Sequence, residues 1–195
     1  ASDVYKRQIL LLMYDTGARV QEIINLKKND FNNFGPPSVT LTGKGRKYRT
    51  VVVSDATRDI LKKYIKNTNF DNIPDNSLFF SLRGKRKLTR QGIQFILNYY
   101  VNIAKKDDSS FPSHVHCHML RHSMAIHLLE SGIDIYIIRN RLGHSSVDTT
   151  ERYARASVQL KERAILGGGI DRTKDDYLPD WNEDSDLIDY LCSIN

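Results

Sequence analysis

Cysteine is scarce in this chain: there are two, Cys117 and Cys192, far apart in sequence. A disulfide scaffold is not expected, and the reading is a protein of a reducing compartment, the cytoplasm. No run of about 18 apolar residues occurs, so no membrane-spanning helix is expected. The first residues, Ala1 to Gln8, lack the apolar stretch behind a basic start that marks a secretory signal. Internal repeats and low-complexity segments are missing too. So are the common hydrolytic motifs: there is no GxSxG, no HExxH, no GxxxxGK(S/T) and no carboxylate cluster suited to Mg²⁺. The run His114-Val-His116-Cys117-His118 has metal-binding residue types. Residues so close together rarely share one site, and no second pair follows at zinc spacing. No metal and no other cofactor is expected.

What is present is an ordinary globular composition, 40% hydrophobic and 27% charged over 195 residues. That is enough for one domain, or one domain and a tail. The net charge of +6 is unevenly spread. Residues 171–195 hold eight acids against two bases, a balance of −6, which leaves +12 on residues 1–170. A body so basic suits a polyanion such as nucleic acid, although a solvated basic surface gives the same count.

Along the chain the pattern is mostly helical. Ile9 to Leu26 reads as two helices broken at Thr16-Gly17, the second starting near Ala18. The chain opens abruptly inside the first, so further sequence upstream is expected. Val39–Thr42 and Arg49–Val53 are β-rich and flank the basic tip Gly43-Lys44-Gly45-Arg46-Lys47-Tyr48, a hairpin signature. A helix over Asp55–Ile65 is capped by Ser54 or Asp55. Asn67–Asn76 is polar and loop-like. Leu78–Ser81 is a short apolar run, followed by a basic loop over Arg83–Lys87. Thr89–Lys105 fits a helix and Lys106–Pro112 a loop. Three helices follow, over Cys117–Ser131, Asp134–Leu142 and Thr149–Ala164. Gly132 and Gly143 end the first two, and Thr149 or Thr150 caps the third. Past it, Leu187, Ile188, Leu191 and Ile194 form a short amphipathic stripe in the acidic tail. The expected fold class is α+β, mostly helical with a small antiparallel sheet.

Six residues together meet a definite chemical need. Breaking a phosphodiester without a metal requires cations at the two non-bridging oxygens, and Arg19 and Arg121 offer guanidinium forks. It requires a nucleophile, which the phenol of Tyr153 can be. It requires a proton for the leaving oxygen, which Lys44 on the hairpin can donate. His118 and His144 can donate to phosphate oxygens or relay a proton. Each is weak alone, since surface His/Arg pairs, half-buried tyrosines and solvated hairpin lysines are common.

The wording around these residues resembles the tyrosine recombinase, or phage integrase, family. The matching stretches are Thr16-Gly-Ala-Arg19 with Glu22, Lys44 on its hairpin, His118-Met-Leu-Arg121, and Leu142-Gly-His144 through Glu151-Arg-Tyr153. The resemblance covers about residues 9–165. It implies the DNA breaking-rejoining fold, with Arg19 and Arg121 as phosphate clamps and Lys44 as general acid. His118 is then a base or relay, His144 a phosphate donor, Tyr153 the nucleophile, and Glu22 a support that positions Arg19. It also implies cleavage and rejoining through a 3′-phosphotyrosyl bond, without ATP, by several protomers on double-stranded DNA, four by expectation. The N-terminal core-binding domain usual in the family is not seen. Residues 1–168 are read as an N-terminally truncated catalytic domain and 169–195 as a tail able to dock on a neighbouring protomer.

Candidate DNA contacts are Arg46, Lys47, Arg49, Lys85, Arg86, Lys87 and Arg90, with Arg139 and Arg141 behind them. Arg90, Gln91 and Gln94 are candidates for reading bases. Rival readings are a helix-turn-helix regulator over Asp134–Ala154, a type IB topoisomerase-like enzyme, and an inactive remnant.

Overall fold

In a computed structural model of the chain, residues 2–81, 84–108, 111–112 and 114–143 are described. The expected helix at 149–164 and the tail at 169–195 lie outside them. Six α-helices and five short strands, with three single 3-10 turns, are found among the described residues. In order they are α1 (Ser2–Thr16), α2 (Val20–Asn25), β1 (Phe31–Asn32), β2 (Ser38–Thr42), β3 (Tyr48–Val52), α3 (Asp55–Asn67), β4 (Phe80–Ser81), β5 (Arg86–Lys87), α4 (Arg90–Asp107), α5 (Cys117–Glu130) and α6 (Ile135–Leu142).

Helix α1 stops for a local reason. Thr16 turns its hydroxyl back onto the Leu12 carbonyl at 2.6 Å and accepts from the Ala18 N–H at 3.2 Å. Gly17 then takes a left-handed φ of 60°. This is a conformation that costs an L residue with a side chain about 1–2 kcal/mol. A Cβ there would also lie 2.0 Å from Met124 Cε and 2.9 Å from Leu142 Cδ2. The break at Thr16-Gly17 is thus fixed both by backbone and by packing.

The sheet is an antiparallel meander in the order β1-β2-β3, with Leu41 opposite Arg49 and Thr42 opposite Tyr48. Strand β1 was not foreseen; two residues are too few to carry a period. Ser54 caps α3, accepting from the Thr57 N–H at 3.2 Å, and Thr89 caps α4, accepting from the Gly92 N–H at 3.0 Å. The 83–87 loop contains a two-residue strand, pairing Arg86 with Ser81 and Lys87 with Phe80.

Helix α1 runs through the middle, packed against α5, α3, α2 and α4, with Ile9, Leu12 and Met13 fully buried. Each such side chain contributes roughly 1.5–3 kcal/mol on burial. A second cluster of Met124, Ala125, Ile126, Ile138 and Leu142 joins α5 to α6. Gly17 lies against it, so both clusters meet where α1 ends. Among the described residues, no helix is long and apolar enough to cross a membrane.

Candidate active site

The junction of α1, α2, β3 and the end of α6 gathers charge. Arg19 precedes α2 in extended conformation, so its backbone N–H is free of the helix and donates to Glu22 Oε2 at 2.7 Å. Its Nη1 lies 3.4 Å from Glu22 Oε1, and its side chain stays about a third exposed. Glu22 is buried. Burial pushes its carboxyl up, but hydrogen bonds from Arg49 and Arg19 and the nearby Arg121 charge hold it below the usual value. It is a fixed anion.

Arg121 is the largest fully buried side chain of the described residues. It reaches from α5 between two segments: Nη1 donates to the Gly17 carbonyl in a short bond, and Nη2 to the Leu142 carbonyl at 2.8 Å. His118 lies one turn earlier on the same helix face. Burial, followed by the Arg121, His122 and Arg19 charges, lowers its pKa to about 4. Burial alone does the same for His122, also to about 4. His118 is therefore neutral near pH 7, the form that can take a proton, while burial and the neighbouring guanidiniums make it a weaker base than a free imidazole.

Lys44 lies on the turn joining β2 and β3 (Lys44–Arg46). Gly143 ends α6 with a left-handed φ of 66°. His144 and Tyr153 are outside the described residues. Arg19, Glu22, His118 and Arg121 thus lie near one another.

The candidate DNA contacts divide. Arg46, Lys47, Arg86 and Lys87 are exposed. Lys85 donates to the Asp71 carbonyl at 2.8 Å, and Arg90 Nε to Gln21 Oε1 at 3.1 Å. Arg49 needs correcting. Its guanidinium turns inward, with Nη1 and Nη2 on the two Glu22 oxygens at 2.6 and 2.7 Å and Nε on the Arg141 carbonyl at 2.9 Å. A side chain 13% exposed and bound at all three nitrogens is not a surface phosphate contact. Gln94 is likewise engaged internally: its amide donates to the Val115 carbonyl at 2.7 Å and accepts from the Cys117 N–H at 3.1 Å. It braces the start of α5 instead of facing a base. Arg141 donates to the Asp15 and Val52 carbonyls at 2.7 and 3.0 Å.

The sequence did carry a signal for Arg49. Residues 49, 51 and 53 share one strand face, and Val51 and Val53 are buried. The apolar Val52 beside them obscured the phase. Among the described residues, no three of His, Cys, Asp and Glu are grouped to hold a metal ion.

Residues 1–159 match the model of the phage integrase family. The chain belongs to that family. Its likeness to tyrosine recombinase XerC of Staphylococcus carnosus is 32% identity over 161 residues, covering 82% of this chain and 52% of that protein. This integrase-family chain therefore spans about half the length of the curated relatives it matches. In three dimensions it is similar to XerH site-specific recombinase bound to palindromic difH substrate in a post-cleavage complex. The TM-score is 0.72 at 26% identity, over 83% of this chain and 45% of that one. It is also similar to XerA recombinase, with TM-score 0.68 and 28% identity over 87% and 59%. The fold is the mostly helical α+β fold of the tyrosine recombinases.

Proposed function

We propose that residues 1–168 are the catalytic domain of a site-specific DNA recombinase and 169–195 its tail. The observation that carries the reading is the convergence of Arg19, His118 and Arg121 beside a buried Glu22. The family match runs on through His144 and Tyr153.

In the proposed reaction the Tyr153 hydroxyl attacks the scissile phosphorus. The bond from phosphorus to the 5′ oxygen breaks, and Lys44 gives that oxygen its proton. Arg19 and Arg121 stabilise the charge that builds on the non-bridging oxygens. His118, neutral at pH 7, takes the phenol proton or relays it. The 3′-phosphotyrosyl bond conserves the energy of the broken one. The 5′-hydroxyl of a partner strand can then attack it and release Tyr153, without ATP or a metal.

Similarity to a recombinase bound to its substrate supports double-stranded DNA as the partner. Exchange between two duplexes calls for four protomers, and the apolar stripe Leu187, Ile188, Leu191 and Ile194 is the proposed docking segment on a neighbour. The bacterial relatives and a DNA substrate agree with a cytoplasmic protein.

The test is a suicide half-site substrate, drawn from a site library and incubated with the chain without metal or ATP. A covalent adduct on a denaturing gel, lost in Tyr153→Phe, is the expected result. Tight DNA binding with no adduct would overturn the catalytic reading in favour of a regulator or an inactive fragment.

A further inference from the structure

We infer that Arg49 is a positioning residue of this site, holding Arg19 and the end of α6 in register; the inference rests on the catalytic reading above. A planar fork is required at this place. Both Glu22 oxygens face Nη1 and Nη2, which is the bidentate geometry that a lysine cannot make. The third nitrogen, Nε, takes the Arg141 carbonyl. That carbonyl is one of the last in α6 and has no partner within the helix. One side chain on β3 therefore joins the α2 entry to the α6 exit.

The same two segments are joined again one residue along. Arg121 takes the carbonyls of Gly17 and Leu142. Arg49 and Arg121 thus grip consecutive carbonyls of α6, at 141 and 142, while Glu22 ties Arg49 to the Arg19 backbone and guanidinium. Space is kept for the arrangement. A Cβ on Gly143 would lie 3.0 Å from Arg49 Cδ and 3.1 Å from its Nη1. Gly143 is needed there both for its left-handed φ and for the guanidinium passing it. The Arg49 side chain is only 13% exposed, and its three nitrogens are spent on Glu22 and the Arg141 carbonyl. Its effect on the reaction is indirect, through where Arg19 points and where α6 ends.

The experiment compares the full chain with Arg49→Met and Arg49→Lys in single-turnover cleavage of a half-site substrate, across DNA and salt concentrations. Arg49→Met should lower the rate at saturating DNA by about 100-fold, the size of effect expected when reacting groups are misplaced by roughly 1 Å. Half-saturating DNA and the salt slope should stay as in the parent. Arg49→Lys, which keeps a charge for Glu22 and loses the fork, should fall between. An unchanged rate at saturating DNA, with weaker binding and a salt slope reduced by about one, would make Arg49 a phosphate contact and overturn the inference. An unchanged rate with only a lower melting temperature would overturn it as well.

If the parent chain itself gives no adduct, the catalytic reading fails separately. Positioning is then read from the side-chain Nε–H NMR signals of Arg19 and Arg121, assigned with lysine variants. Both signals should move in Arg49→Met, and unmoved signals would overturn the inference.

Discussion

Replacing Gly17 with alanine tests whether the α1–α2 break is set by backbone alone or by packing too. Gly132 supplies the control. Both glycines have left-handed φ, 60° and 80°. A Cβ on Gly132 meets nothing within 4 Å, whereas one on Gly17 meets Met124 and Leu142. The backbone strain, about 1–2 kcal/mol, is common to both. The gain from stiffening the unfolded chain is common as well and cancels in the comparison. Met124 and Leu142 belong to a closely packed cluster, so making room at Gly17 should add about 1–3 kcal/mol. Urea unfolding should therefore place Gly17→Ala about 1–3 kcal/mol below Gly132→Ala. In a chain of this size each kcal/mol corresponds to about 2–4 °C in melting temperature. Equal destabilisation of the two variants would refute the packing argument. It would mean that the Met124 thioether swings aside without loss.

Two other outcomes follow from buried charge. His118 and His122 have folded pKa values of about 4 against about 6.5 when unfolded, so the unfolded chain binds more protons between those values. Their contribution is complete above pH 6.5, falls as pH drops towards 4 and is level below it. By pH 5 the loss should be about 2 kcal/mol for His122, and less for His118, which is only partly buried and so more screened by solvent. A stability that is flat from pH 7 to 5 would show that the folded rings are already hydrated or protonated. Glu22→Gln should cost about 3 kcal/mol at pH 7, because it leaves the Arg49 guanidinium facing a neutral amide. Glu22 titrates below its ordinary value, so its contribution exists above the unfolded pKa and disappears as pH falls through the folded one. The difference between parent and variant should narrow on acidification, and a gap that stays constant would refute the ion pair's role.

Much of the fold was legible because local chemistry and global packing agree. Ser54, Thr89 and Asp134 each cap a helix where a cap residue precedes a 3.6-residue period. Gly17, Gly132 and Gly143 have the left-handed φ that their places at helix ends require. The candidate site residues could be picked out for a different reason. Arg19, His118 and Arg121 are meaningful only as a set, and their spacing is long enough to be specific. What was not legible is how the polar side chains spend their hydrogen bonds. Arg49, Gln94 and Arg141 look like surface contacts in a basic sequence. Each in fact satisfies backbone carbonyls from segments remote in sequence, as with Arg49 and residue 141. Such pairings depend on tertiary placement, which no short-range period encodes.

The two arginines at the end of α6 are held by different kinds of partner. Arg49 faces a carboxylate, which cancels its charge as it fixes its position. The terminal nitrogens of Arg121 donate to peptide carbonyls of Gly17 and Leu142, and a carbonyl is a dipole. It orients a cation without neutralising it, and the negative end of α6 adds only a fractional charge. Those bonds immobilise Arg121 and leave its formal charge in place. Losing Arg121 would therefore take the donor from two carbonyls at once, those of Gly17 and Leu142.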